Sequence, residues 1–199
     1  YQVQLGWTAV PGANFYNLLR SEDGPDHSFY EIAFNLPAGQ TSYVDDQVAN
    51  RRTYEYQLLV VDNNGCVSLN DNRETAVVDL AELALENAVV NDDSANGVLV
   101  PGEAANLPLE IRSLGGGTAS GVSADLVSAT PGVTVVTGTA AYPDLTGGTL
   151  MAPSGAPFRI QVDPDITLCG TQADFRLSME SAEGCWDSAF SILIGAGLT

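Results

Sequence analysis

An all-β fold, arranged as two tandem antiparallel β-sandwiches, is predicted by three features of the sequence. Apolar and polar residues alternate over short segments, as in Ala173–Glu180, the pattern of a strand with one face in a core and one in water. Gly, Pro, Asn and Asp separate these segments along the whole chain. No sustained helical period with capping signals interrupts them.

The 199 residues suit one large or two small domains, and the pattern favours two, 1–79 and 80–199. In the first, strands are expected over Val3–Ala9, Phe15–Ser21, Phe29–Asn35, Ser42–Asp45, Thr53–Asp62 and Val67–Val78. Turns fall at Pro11–Ala13, Asp23–Asp26 and Asn63–Gly65, where glycine, proline and asparagine supply the tight backbone. In the second domain seven strands are expected, over Ala81–Val90, Ala105–Ser113, Gly121–Ser128, Val133–Thr139, Phe158–Val162, Ala173–Glu180 and Ser188–Ile194. Little Pro or Gly lies near Asp79 and Leu80, so the connection is expected to be short and stiff.

The series Leu5–Trp7, Pro11–Arg20, Thr41–Asp46 and Thr53–Gly65 resembles a fibronectin type III domain. The resemblance covers residues 1–79 and implies a core tryptophan on the second strand, here Trp7, and a tyrosine opening the sixth, here Tyr54. That family begins with a strand ahead of the tryptophan strand, whereas two residues precede Val3 here. The resemblance therefore implies a first strand that was cut away or that another chain supplies. The run Val100–Leu126, with its Pro-Gly-Glu turn, Gly-containing bend and small-residue strand, resembles the CARDB type of bacterial immunoglobulin-like domain. Modules of both kinds follow catalytic domains of secreted peptidases and glycosidases or form parts of surface adhesins.

Charge narrows the partners. Seven Lys+Arg against 25 Asp+Glu give a net charge of −18, and all seven cations are arginine. Nucleic acid and anionic membrane surfaces are excluded as expected partners, because each phosphate contact calls for a cation. No apolar run approaches the length of a bilayer span, and no cleavable signal opens the chain, which reads as the mature or excised part of something longer.

One loop carries metal-ligand chemistry. In Asn91–Glu103, oxygen-bearing side chains stand at loop positions one (Asp92), three (Ser94) and five (Asn96), with Gly97 at six and Glu103 at twelve. This is the ligand order of an EF-hand calcium loop, in which Val98 would contribute its carbonyl and Asp93 a reserve carboxylate. The flanks are expected to be strands, however, and Pro101 stiffens the second half. Residues of these types also build plain turns without a metal. Both readings stand at this stage; they differ in whether Asp92, Asn96 and Glu103 converge on one point.

Cys66, Cys169 and Cys185 are odd in number and lack zinc-site spacing, so a disulfide with one cysteine left over is the simplest arrangement for a secreted chain. Cys169 and Cys185 are nearest in sequence, but the strand expected between them spans roughly 27 Å, against about 7 Å for bridged Cα atoms. An intermolecular Cys66–Cys169 bond and unpaired thiols are the alternatives. His27, the only histidine, has no nucleophile elbow or metalloprotease helix to accompany it, so no catalytic residue is assigned. Tyr30, Tyr142 and Trp186 are the aromatics left over for stacking on carbohydrate.

The expectation from sequence is a non-enzymatic extracellular module, structural or adhesive, with protein partners or copies of itself, and with calcium as its stabilising ion under the metal reading of the Asp92 loop. The alternatives are an ancillary substrate-binding region of a secreted peptidase or glycosidase, and a repeating subunit of an extracellular filament.

Overall fold

A computed structural model describes residues 1–22, 28–68, 72–166 and 170–195, with Thr171 described in its backbone alone. The described residues contain strands and turns only, and none forms a helix long and apolar enough to cross a membrane. The chain divides into two compact units, Tyr1–Asp79 and Leu80–Thr199. Both are all-β, built from antiparallel sheets that do not close into barrels.

The first unit contains β1 (Val3–Gly6), β2 (Ala13–Glu22), β3 (Tyr30–Pro37), β4 (Ser42–Asp45), β5 (Arg52–Asp62) and β6 (Arg73–Val78). A two-stranded sheet, β1-β4, accompanies a four-stranded sheet ordered β3-β2-β5-β6. Alternation on β2 buries Tyr16, Leu18 and Arg20, while Tyr54 and Tyr56 on β5 turn to the same interior. Two tyrosine hydroxyls tie loops to this core. Tyr54 accepts the Ala49 amide at 2.8 Å and Tyr16 accepts the Val10 amide at 2.9 Å. Trp7 meets Tyr16 edge-on, with ring centroids 5.6 Å apart.

The second unit contains β7 (Leu83–Ala88), β8 (Asn91–Asp92), β9 (Ala104–Leu107), β10 (Leu109–Ser113), β11 (Ser123–Ser128), β12 (Val133–Thr137), β13 (Thr139–Ala141), β14 (Leu150–Met151), β15 (Phe158–Val162), β16 (Thr171–Ser181) and β17 (Gly184–Ile194). Its ladders run β14-β10-β7, β12-β15-β9-β8 and β13-β11-β16-β17. The core is gathered from all three, with Leu107, Ile111, Phe158, Ile160 and Leu177 fully buried. Tyr142 lies inside it and donates its hydroxyl to the Leu109 carbonyl at 2.9 Å.

Two segments expected as single strands are split. Ala105–Ser113 breaks at Pro108, which has no N–H for a ladder, and the chain passes there from the sheet of β15 to the sheet of β7. Val133–Thr139 breaks at Gly138, where pairing changes from β15 to β11. In the first unit Val67 makes only an isolated bridge, and the strand expected from it begins at Arg73; residues 69–71 lie outside the described residues.

The Gly-Gly-Gly run at 115–117 has a steric reason. A Cβ on Gly115 would lie 1.8 Å from the Leu80 carbonyl oxygen, and one on Gly117 would lie 2.5 Å from the Ala81 nitrogen. Gly115→Ala is therefore expected to destabilise the second unit by about 1–3 kcal/mol or more, because backbone must move to admit the methyl. Gly155→Ala, with open space around the added atom, serves as the near-neutral control. Urea denaturation of the two variants checks the contrast.

Candidate functional site

The loop from Asp92 to Glu103 leaves β8 where Asp92 pairs with Ala105, and the Asp93 amide continues the ladder to the Ala104 carbonyl at 3.0 Å. The chain then reverses tightly, with left-handed backbone at Ala95 (φ 56°) and Gly97 (φ 77°). The reversal wraps amides around the buried Asp92 carboxylate. One oxygen, Oδ2, accepts the Ser94 hydroxyl at 2.5 Å and the Asn96 amide at 3.1 Å, while Oδ1 accepts the Gly97 amide at 2.9 Å. Asn96 Oδ1 accepts the Val98 amide at 2.8 Å, an Asx turn.

Glu103 reaches back across the loop. Its Oε1 accepts the Ser94 amide at 2.9 Å and its Oε2 the Val100 amide at 3.2 Å. Asp93 points elsewhere and takes a bidentate contact from Arg159 at 3.1 and 2.8 Å. The structure thus brings Asp92, Ser94, Asn96 and Glu103 to one loop and places Asp93 outside it. Among the described residues no group of three or more His, Cys, Asp or Glu side chains gathers as a metal site would need. A calcium ion at this loop would have to compete with the amide hydrogens that now face Asp92 and Glu103.

The same device recurs. Asp62 Oδ1 closes the turn after β5 by accepting the amides of Asn64 and Cys66, each at 2.8 Å. Glu183 Oε2 accepts the Ser120 amide at 2.7 Å and the Ser181 hydroxyl at 2.9 Å. Donors clustered on a carboxylate favour its charged form. The Ser94 hydroxyl, with the Asn96 and Gly97 amides, holds Asp92 down at about 2, while Asp62 and Glu183 are also lowered, chiefly by backbone amides.

A second polar constellation lies inside the first unit and was not read from the sequence. Arg20 projects from β2 into the interior and donates from Nη1 to Asp45 Oδ2 at 2.7 Å and to the Gln47 carbonyl at 2.9 Å. Its Nε donates to the Tyr30 hydroxyl at 2.9 Å, and its Nη2 reaches both Glu22 and that same hydroxyl. Asp45 also accepts the Tyr56 hydroxyl at 2.8 Å and the Gln47 amide at 3.0 Å. Desolvation works against the guanidinium charge, but hydrogen bonds to Asp45 and Tyr30 outweigh it and raise the Arg20 pKa. Burial, reinforced by Asp45, raises Tyr56. The signal in the sequence was positional: Arg20 follows Tyr16 and Leu18 at the inward period of a strand, and a charge there requires a partner.

Cys66 and Cys185 are exposed free thiols, and Cys185 faces Glu180 across the β16–β17 hairpin with Sγ 3.7 Å from Oε1. Cys169 and His27 lie outside the described residues. Of the aromatics expected to be available for carbohydrate, Tyr142 is buried with its hydroxyl bound to Leu109, which removes it from the surface. Tyr30 commits its hydroxyl to Arg20 and Glu22, and Trp186 packs partly against the second core.

No protein-family model matches the chain, and no curated protein matches it. The site is therefore read from its own geometry. Its chemistry is that of carboxylates engaged by the chain's own donors.

Three outcomes follow from that geometry. The lowered Asp92 pKa contributes stability that is present above its ordinary value of 3.8 and lost as pH falls through about 2. Asp92→Asn should flatten this acid limb in pH-dependent denaturation. The raised Tyr56 contributes stability that is present below pH 10.0 and lost as pH rises beyond it, and tyrosinate absorbance should lag that of free tyrosine. Calorimetric titration with calcium separates the two readings of the loop: heat that Asp92→Asn abolishes places the ion there, and no heat up to millimolar metal leaves Asp92 and Glu103 to their amides.

Proposed function

We propose that the chain is a non-catalytic, extracellular structural or adhesive module of a larger protein, in which two β-sandwiches act as stiff spacers. The observation that carries this reading is the use of the ionisable groups. Asp62, Asp92, Glu103 and Glu183 close the chain's own loops, and Arg20, Arg112, Arg159 and Arg176 sit against carboxylates. Side chains engaged in this way hold a scaffold and are poorly placed to turn over a substrate.

The fibronectin type III reading of residues 1–79 draws support from the strand order β3-β2-β5-β6 beside β1-β4, and from Tyr54, whose hydroxyl bonds back to the Ala49 amide as in a tyrosine corner. The immunoglobulin-like reading of residues 80–199 draws support from antiparallel ladders that share one core. Strands that cross between sheets at Pro108 and Gly138 belong to that picture. Calcium would enter as a clamp on the loop at Asp92, replacing amide donors.

Pulling single molecules from both ends tests the spacer role. Two unfolding events are expected, with contour lengths matching residues 1–79 and 80–199. Hydrolysis of peptide or glycoside substrates by the purified chain, lost on substitution of an acidic residue, would overturn the reading.

A further inference from the structure

The sequence contains two Asn-Gly pairs, Asn64-Gly65 and Asn96-Gly97. A glycine after asparagine leaves its main-chain nitrogen open to the preceding side chain, because no Cβ stands in the way. Both glycines are left-handed, with φ 81° at Gly65 and 77° at Gly97. The hydrogen bonds around the two pairs differ.

At Asn96 three groups are aligned for one reaction. The Val98 amide donates to Asn96 Oδ1 at 2.8 Å, which folds the side-chain carbonyl over the Gly97 peptide. That oxygen gains charge when a nucleophile adds to Cγ, so the Val98 amide is an oxyanion donor already in place. The Gly97 amide donates to Asp92 Oδ1 at 2.9 Å, so the proton that must leave the nitrogen points at a carboxylate. Asn96 and Gly97 are exposed, and an added Cβ at Gly97 would meet nothing within 4 Å, so water has access. At the other pair the Gly65 amide donates to the Asp62 main-chain carbonyl at 3.1 Å, which is no base. Asn64 is held there through its nitrogen, Nδ2, which reaches Asp62 Oδ2 at 3.4 Å.

We propose that Asn96 is a self-modification site, at which the Gly97 nitrogen displaces ammonia from the Asn96 side chain and water converts the product to aspartate or isoaspartate. The nitrogen bonds to Cγ and passes its proton to Asp92. The Cγ–Nδ2 bond then breaks, and the departing nitrogen takes that proton and leaves as ammonia. Water opens the remaining succinimide at either carbonyl, and no oxidant, reductant or metal takes part. Opening at the main-chain carbonyl gives isoaspartate, which inserts a methylene into the backbone. Either product places a new negative charge in the loop of Asp92 and Glu103, and the longer isoaspartate path draws Gly97 and Val98 away from their acceptors. The reversal is thereby loosened as the protein ages.

The test is to age the purified full chain at neutral pH, folded and in urea, and to follow peptides covering each asparagine by mass spectrometry for the exchange of amide for acid. In urea the two pairs should convert at similar rates, since glycine follows both. In the folded chain Asn96 is expected to convert about tenfold faster than Asn64, and faster than it does in urea; the gain is modest because a carboxylate held at about 2 is a weak base. Asp92→Asn should return Asn96 to the rate seen in urea, with a denaturation curve to show that the second unit stays folded. Folded Asn96 converting no faster than in urea overturns the proposal, and so does a folded Asp92→Asn variant with an unchanged rate. Where that variant does not fold, the comparison of folded and denatured parent chain decides.

Discussion

Arg20 and Asp45 lie inside the first sandwich, 4% and 3% exposed, and join strands of its two sheets. A guanidinium in that position is tolerable only if its donors are met, and the neighbouring groups meet them: Asp45 and the Gln47 carbonyl on one side, Tyr30 and Glu22 on the other. Tyr54 presents its ring to the same guanidinium, 5.1 Å from carbon to centroid. The remaining apolar core of this unit is small, centred on Val48, Tyr54, Tyr56 and Val78. The charge pair thus fixes how β4 sits over β2 and β5, and the position of β1 follows through its ladder with β4.

The second unit solves the same problem by different means. Its interior is apolar and continuous, with Tyr142 as a polar tie, and its charges are turned to the loops. Asp92 and Glu103 hold one reversal between them, and Glu183 joins the β16–β17 turn to Ser120. Carboxylates in these positions are stiffeners. Over the whole chain a net charge of −18 remains.

Alternation made much of the fold legible. Phe158–Val162 and Ser42–Asp45 were expected with the limits they have; Pro157 and the Asp163-Pro164 pair bound the first, and Asp46 follows the second. The breaks at Pro108 and Gly138 were not legible, since the inward period continues through Pro108 and only the partner strand changes. The loop at Asp92 shows a different limit. Ligand order along the sequence placed Asp92, Ser94, Asn96 and Glu103 together, but spacing cannot tell whether carboxylates face a cation or their own amides. Arg20 was missed because a charged residue at an inward position reads as an exception until its partner, 25 residues away, is seen beside it.

The proposed spacer role requires each unit to hold its own shape, and in the first unit the buried charge pair is what holds it. The most direct measurement is a double-mutant cycle on Arg20→Met and Asp45→Leu, followed by urea denaturation of the first unit. Each single change should destabilise by about 3–5 kcal/mol, because it leaves a buried charge uncompensated, and the double variant should recover most of that loss. Single variants within about 0.5 kcal/mol of the parent would contradict the account, and so would losses that simply add.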